Sequence, residues 1–289
     1  MPIATAIRED PTEYIRHDQL FKELIDTFFA ECLEVFFPEV HHHIDFSSIK
    51  PLSSEVFTDM IEGESRHADI VIEARLKGQN TLIIIHVEPQ SSGQPHFHER
   101  MYHYFSLLYN KYRRPIVPIA VFSYDENRYE RDQFTIEFPF FHVLTFNFLM
   151  LELRKMNWRE YLQSNNPVAA ALLSKMNFTE KERIKVRKEF LRMLMNMELN
   201  QAKTYWLNGF FETYLKLDEG EEETVMEEIK RTEDDEKLSM LPNFWEERGK
   251  MNEKREIARE MLKEGPSVEF IAKVTRLDKE KIENMKKEI

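Results

Sequence analysis

The sequence is poor in glycine and cysteine, and each shortage excludes a class of site. Its 289 residues include seven glycines and one cysteine. No G-x-G-x-x-G or G-x-x-x-x-G-K-S/T pattern occurs, which argues against enzymes that hold nucleotide phosphates in glycine-rich loops. Cys32 alone forms no intrachain disulfide and builds no thiolate metal site. Because apolar residues at helical spacing surround it, we expect a buried structural thiol.

Long uninterrupted apolar runs are also missing. The longest apolar stretch, 138–153, contains Pro139, His142, Thr145 and Asn147, whereas a membrane-spanning helix needs about 18 or more consecutive apolar residues. The first residues of the chain lack the apolar core of a signal peptide. With 42% hydrophobic and 32% charged residues, the composition is typical of a globular protein. We therefore expect a cytoplasmic protein without a membrane partner.

An excess of positive charge is missing as well, but the net charge of −12 is unevenly distributed. Residues 218–236 contain eleven acidic and two basic residues, so this one segment holds most of the negative charge. Residues 181–192 contain six basic and two acidic residues. Because a solvated helix face explains a basic cluster as well as a phosphate contact does, the composition neither requires nor excludes DNA as a partner.

The order of apolar patterns along the chain predicts a mixed α/β fold. Apolar residues at helical spacing from His17 to Phe37 predict an amphipathic helix that ends at Pro38. Segments rich in β-branched and aromatic residues follow, with one helix between them. Strands are predicted at 51–58, 67–76, 81–88 and 116–123, an extended aromatic segment at 134–147, and the helix at 96–113.

Changes in pattern divide the chain into three predicted regions. Residues 1–150 form an α/β core, 151–240 a helical extension, and 241–289 a helical tail. The aromatic run from Phe138 to Phe148 is expected to belong to the hydrophobic core, with base stacking as the less favoured alternative.

Three polar residues interrupt the apolar strands of the core. Asp69 lies within the segment HADIVI, and Glu88 and Gln90 end the segment LIIIHVEPQ. A carboxylate in a mostly apolar strand is costly unless it is paired or binds a metal. Glu88 and Gln90 are two residues apart and therefore share one face of a regular strand.

The turn between the two strands decides whether Asp69 joins that face. Opposed residues of an antiparallel pair have a constant sum of residue numbers and project to the same side. A two-residue turn at 78–79 places Asp69 opposite Glu88, and a turn at 79–80 places it opposite Gln90. Four-residue loops keep Asp69 on the same face, whereas a three-residue loop turns it away. On the same face, opposed Cβ atoms lie about 5 Å apart, close enough for both carboxylates to share a cation.

Two carboxylates beside an amide suit a hard, oxygen-seeking ion such as Mg²⁺ or Mn²⁺. Such an ion polarises a phosphodiester and lowers the pKa of bound water. On chemistry alone, a structural polar network explains the same residues, so both interpretations remain open at this point.

Four short motifs then occur in order over residues 17–147. They are His17-Asp18-x-Leu20-Phe21-Lys22, Ala68-Asp69-Ile70, Glu88-x-Gln90-Ser91-Ser92 and Arg100-x-x-x-Tyr104. Together they resemble the PD-(D/E)XK nuclease superfamily, and within it the recombination-promoting nuclease and putative transposase branch. The resemblance implies a restriction-endonuclease-like mixed sheet flanked by helices, followed by a helical C-terminal region. It also implies Mg²⁺-dependent cleavage of DNA.

The resemblance implies a role for each matched position. Asp69 and Glu88 would bind the metal, and the backbone carbonyl of Pro89 would face the same ion. Gln90 stands where most of the superfamily has a catalytic lysine, although this branch commonly has glutamine there. A glutamine can orient water but cannot accept its proton. Further positions are expected near the site: Asp18, Lys22, Glu23, Ser91, Arg100 and Tyr104.

The C-terminal tail carries a second resemblance. Apolar spacing on both sides of Gly265-Pro266 is similar to a helix-turn-helix. Lys273, Thr275 and Arg276 are then candidates for base contacts. A helical packing element, through which the chain forms a homo-oligomer, explains the same pattern.

We therefore expect a metal-dependent DNA endonuclease, a Mg²⁺-dependent deoxyribonuclease connected with recombination, mobile elements or defence. Asp69, Glu88 and Gln90 are its expected catalytic residues, with Mg²⁺ or Mn²⁺ as the cofactor and DNA as the partner. The alternative is a catalytically inactive nuclease-fold protein that binds DNA or acts in assembly, which Pro89, Gln90 and the acidic surplus favour. A third interpretation is an unrelated α/β protein whose carboxylates are structural.

Overall fold

A computed structural model describes most of the chain: residues 11–52, 55–58, 65–67, 69–79, 81–90, 96–124, 129–232, 257–263, 267–275 and 277–288. The chain divides into two compact units, Met1–Asp234 and Asp235–Ile289. The helices between residues 150 and 234 therefore belong to the same unit as the sheet.

The first unit contains a five-stranded mixed sheet, which confirms the predicted mixed α/β class. Its spatial order is β1 (Ile44–Pro51), β4 (Ile70–Leu76), β5 (Leu82–Gln90), β6 (Ile116–Phe122) and β9 (Leu149–Glu152). The first three strands pair antiparallel, and the last three pair parallel. Two separate ribbons pair β2 (Glu55–Thr58) with β3 (Ser65–His67), and β7 (Gln133–Phe138) with β8 (Phe141–Asn147).

Along the chain, helices come before the strands of the sheet, between two of them and after them. Those of the first unit are α1 (Pro11–Thr27), α2 (Phe29–Phe36), α3 (Pro38–His43), α4 (Phe97–Tyr112), α5 (Pro167–Leu172), α6 (Arg183–Met195), α7 (Gln201–Tyr214) and α8 (Glu219–Thr232). Short 3-10 helices lie at Leu153–Lys155, Trp158–Tyr161, Leu173–Lys175 and Glu180–Glu182. Helices therefore flank the sheet as expected. None of the described helices is long and apolar enough to cross a membrane.

The first predicted helix is correct in position and ends before Pro38 as expected, but it is not continuous. It breaks at Phe28, whose φ of −125° and ψ of 44° are not helical, and its second part, α2, ends at Phe36. Pro38 then begins the separate helix α3, because proline at the first helical position needs no N–H. Cys32 in α2 is buried, and burial raises the pKa of its thiol to about 12, which confirms the expected structural thiol.

Two of the predicted strands have different bounds. The predicted strand at 51–58 contains β2 and only the last residue of β1. The sequence did not predict the rest of β1, because the polar, half-buried residues of this edge strand lack an apolar pattern. The predicted strand at 67–76 is divided, since Ser65–His67 pairs with β2 and β4 begins only at Ile70.

The aromatic segment is a hairpin that is buried only at its base. Phe146 and Phe148 belong to the core beside α4. At the tip, Phe140 is 87% exposed, and Phe138 and Phe141 are also exposed. The expectation that the whole run lies in the core is therefore wrong at the tip, where the chain reverses between β7 and β8 and leaves three rings outside.

The second unit has a small core of its own. Residues 257–263 are helical, followed by α9 (Val268–Thr275) and α10 (Lys279–Glu288). The buried apolar residues of this core, within the described part, are Ala258, Ile271, Leu277, Ile282 and Met285. The buried Thr275 hydroxyl donates to the Ile271 carbonyl at 2.8 Å, so its expected availability for base contacts is wrong. The side chains of Lys273 and Arg276 lie outside the described part.

Candidate active site

The hairpin of β4 and β5 brings Asp69 beside Glu88. Ile70 pairs with Val87 and Val71 with His86, which is the odd-sum register that places Asp69 opposite Glu88. The turn has four residues, is closed by the Leu76 N–H bonded to the Thr81 carbonyl at 3.1 Å, and contains Gly78 at a φ of 70°. At its open end, the Asp69 N–H donates to Glu88 Oε2 at 3.4 Å.

Helix α4 covers the face of β5 that carries the polar residues. Its residues 108, 104 and 100 meet successive even-numbered residues of the strand. Leu108 packs with Ile84, and the Tyr104 ring lies edge-on to the His86 ring at 5.6 Å. Four helical residues rise about 6 Å and two strand residues rise about 6.6 Å, so the two series stay in step. The next step brings Arg100 to the end of the strand.

Glu88 is a buried carboxylate held by groups of two strands and a helix. The residue is 4% exposed. Its Oε2 atom lies 3.2 Å from His86 Nε2 and accepts the hydrogen bond from Asp69. Its Oε1 atom lies 3.8 Å from Arg100 Nη2, beyond hydrogen-bond distance. These groups offset the cost of burying the charge.

Gln90 is fixed at both its side chain and its carbonyl. Its Oε1 atom accepts a hydrogen bond from Arg100 Nη2 at 2.5 Å. Its backbone carbonyl accepts from the N–H and the hydroxyl of Ser123, at 2.9 and 3.3 Å. A guanidinium only donates, so the contact fixes which end of the amide faces Arg100. The Gln90 Oε1 atom, and not its NH₂, is therefore the end of the amide that faces Arg100.

Arg100 is positioned by its own helix. Its guanidinium lies over the Phe97 ring, 4.9 Å from the ring centroid. Phe97 begins α4, and His96 before it adopts a left-handed conformation at a φ of 60°. Tyr104 lies one turn further along the same face. The Arg100-x-x-x-Tyr104 spacing thus places two side chains on consecutive turns of α4 against β5.

The remaining candidates divide into three groups. Pro89 is buried beside Val121 of β6, and Lys22 is half-buried on α1, a helix that packs against β5. Glu23 is exposed and accepts a hydrogen bond from Gln19 of its own helix. Ser91 and the side chain of Asp18 lie outside the described part of the chain.

Two residues of the cluster were not among the predicted site residues. His86 is fully buried and lies two residues before Glu88, so the alternation that joined Glu88 to Gln90 also places His86 on that face. Ser123 follows β6 and meets Gln90 only through the parallel pairing of the two strands. That pairing depends on a crossover that no local pattern reveals.

The Asp69–Glu88 pair offers carboxylate oxygens as metal donors. Within the described residues there is no group of three or more His, Cys, Asp or Glu side chains that could hold a metal ion. Magnesium is commonly bound by one or two carboxylates and keeps several waters. The donor chemistry of the pair, with the neighbouring Pro89 carbonyl, is therefore compatible with Mg²⁺ or Mn²⁺.

Comparisons with known proteins add no assignment. No protein-family model, curated protein or solved structure matches this chain significantly.

Proposed function

We propose that this protein is a metal-dependent endonuclease that hydrolyses phosphodiester bonds in DNA. The observation that carries the proposal is the 3.4 Å contact between the Asp69 N–H and the buried Glu88 carboxylate, with Gln90 on the same strand under Arg100. The mixed sheet flanked by helices is compatible with a restriction-endonuclease-like fold. The motif resemblance supports a link to recombination, mobile elements or defence.

In this proposal Asp69, Glu88 and the Pro89 carbonyl would hold one Mg²⁺ or Mn²⁺. When bound, the ion would supply an activated water and stabilise charge on the phosphate. Gln90 donates its amide N–H to a phosphate oxygen or to the attacking water. Arg100 keeps that amide in the donating orientation and contributes positive charge near the phosphate.

The second candidate function is a DNA-binding or assembly protein without catalysis. Three contacts favour it: Glu88 Oε2 already has two nitrogen neighbours, and a guanidinium lies 3.8 Å from Oε1. A site arranged in this way can be stable without a metal. Metal binding and cleavage therefore have to be measured separately.

The deciding experiment is a plasmid-nicking assay with Mg²⁺ or Mn²⁺ on the wild type and on Asp69→Asn. We expect nicking by the wild type and only background cleavage by Asp69→Asn, because the substitution removes a charged metal ligand. Glu73→Gln is the matched control, since it neutralises a half-buried carboxylate four residues further along the same region of the sheet, and it should nick normally.

Three outcomes separate the candidate functions. Equal nicking by the wild type and Asp69→Asn contradicts the assigned site. Salt-sensitive retention of DNA by the wild type without nicking supports the binding-only function. If the wild type neither retains DNA nor nicks it, the carboxylates are structural groups.

A further inference from the structure

His86 is a buried polar residue to which the proposed reaction gives no role. It lies in the central strand β5 and is fully buried. One side of its ring contacts Tyr104 edge-on, at 5.6 Å and 83°. Its Nε2 atom faces the Glu88 carboxylate at 3.2 Å. A buried polar ring held in this way against a candidate metal ligand requires an explanation.

The hydrogen bonds of the ring indicate which nitrogen carries the proton. Nδ1 is buried and has no hydrogen-bond partner within the described residues. Nε2 faces a carboxylate, which accepts but does not donate when ionised. A proton on Nε2 is therefore used in a hydrogen bond, whereas a proton on Nδ1 is buried without an acceptor. Nε2–H thus donates to Glu88 Oε2.

The two oxygens of Glu88 are consequently different. Oε2 receives donors from two directions, the Asp69 N–H and His86 Nε2. Oε1 lies on the side of Arg100 and Gln90, the residues that the proposed function directs at the phosphate. A carboxylate fixed through one oxygen presents the other in a constant direction.

We propose that His86 is a positioning residue that holds Glu88 Oε2, so that Oε1 is the oxygen presented to the divalent cation. The first part of this proposal, the binding of a cation by Oε1, rests on the proposed function. The second part, the hydrogen bond between His86 and Glu88, does not depend on that function. The two parts can therefore fail separately.

The test of the first part is Mn²⁺ binding by calorimetry in the absence of DNA. His86→Phe keeps a ring against Tyr104 and removes the donor, so we expect Mn²⁺ affinity to fall about ten- to hundredfold, as is usual when a group that orients a metal ligand is lost. His86→Gln places an amide donor at a reach similar to that of Nε2 and should recover most of the affinity. Ile84→Val, on the same strand face, is the control and should bind Mn²⁺ like the wild type.

A merely structural role for His86 predicts a different result. His86→Phe would then unfold at a lower temperature and still bind Mn²⁺ with wild-type affinity, which would overturn the proposal. If His86→Phe does not fold, His86→Asn replaces it, because its amide nitrogen falls one bond short of the Nε2 position. Equal Mn²⁺ affinity of His86→Asn and His86→Gln would also overturn the proposal.

The test of the second part needs neither metal nor activity. Nitrogen NMR of protein labelled with ¹⁵N-histidine, with the His86 signal assigned by its loss in His86→Gln, reports which ring nitrogen is protonated. We expect a proton on Nε2 and a shifted signal in Glu88→Gln. A His86 Nε2 atom without a proton would contradict the hydrogen bond to Glu88. A protonated Nε2 in a protein that binds no Mn²⁺ preserves the His86–Glu88 contact, while the cation, the role of Oε1 and the proposed function are lost.

Discussion

Two buried charged clusters in this molecule are built in opposite ways. Around Arg187 of α6, which is fully buried, Asn208 Oδ1 and Glu212 Oε1 accept from the guanidinium at 2.8 and 2.9 Å. Glu222 Oε1 lies 3.3 Å from Arg187 Nε. Three polar side chains on α7 and α8 thus surround one cation.

The cluster around Glu88 has the opposite charge at its centre. Oε2 of the buried carboxylate faces two nitrogen donors, the Asp69 N–H and His86 Nε2. The Arg100 guanidinium lies 3.8 Å from Oε1, beyond hydrogen-bond distance. The comparison teaches that burial alone does not mark a site: Arg187 has close contacts with three oxygens of two neighbouring helices, whereas one oxygen of Glu88 has its cationic neighbour beyond hydrogen-bond distance.

The largest expected effect on stability is at Arg187. Arg187→Met leaves two glutamates close together without their cation, so we expect the free energy of unfolding to fall by about 3–5 kcal/mol. Urea denaturation measures this change. Arg231→Met is the control, since the exposed pair of Arg231 with Glu227 contributes at most about 1 kcal/mol. Equal losses in the two variants would contradict the stabilising role of the buried cluster around Arg187.

A smaller effect is expected at Glu88. In Glu88→Gln the loss of pairing is offset by the lower cost of burying a neutral amide, so we expect the free energy of unfolding to change by less than about 1 kcal/mol. The same urea titration measures it. A loss as large as that of Arg187→Met would show that the Glu88 cluster is a structural one.

The smallest effect is expected at the exposed start of α6. The Thr179 N–H, the Thr179 hydroxyl and Arg159 all donate to Glu182, and they lower the pKa of its carboxyl from 4.5 to about 2. A depressed folded-state pKa means that this stabilisation is present above about pH 4.5 and is lost as the pH falls towards 2.

Thermal unfolding of the wild type and of Glu182→Gln measures that contribution. We expect the wild type to be more stable at pH 6, and the difference in melting temperature to shrink as the pH falls from about 5 to about 3. A difference that stays constant over this range would contradict the role of the Glu182 charge.

The local geometry of the hairpin was predictable up to the length of its turn, but its surroundings were not. Residue alternation places Asp69 on the face of Glu88 for every turn considered except the three-residue one, and the observed register selects the pairing of Asp69 with Glu88. The same alternation places His86 beside Glu88, although it did not identify His86 as a partner. The contacts of Ser123 and Arg100 depend on the crossover through α4 and β6, which no local pattern specifies.

Two other predictions, for the aromatic hairpin and for Thr275, fail for reasons of local structure. The expectation of core at the tip of the hairpin between β7 and β8 fails because Phe138 and Phe141 lie beside a chain reversal, which hydrophobicity alone does not reveal. Thr275 was a candidate for base contact by residue type, yet its hydroxyl bonds to a carbonyl of its own helix, as threonine often does inside helices.

The four-residue turn after β4 has a consequence for how this chain can vary. A residue added within the turn leaves every pair of β4 and β5 in place, so Asp69 still faces Glu88. A residue added within β4 itself shifts one part of the strand by one position and turns the acid to the opposite side of the sheet. The chain can therefore vary in the length of this turn, but not in the length of the strand between the turn and position 69.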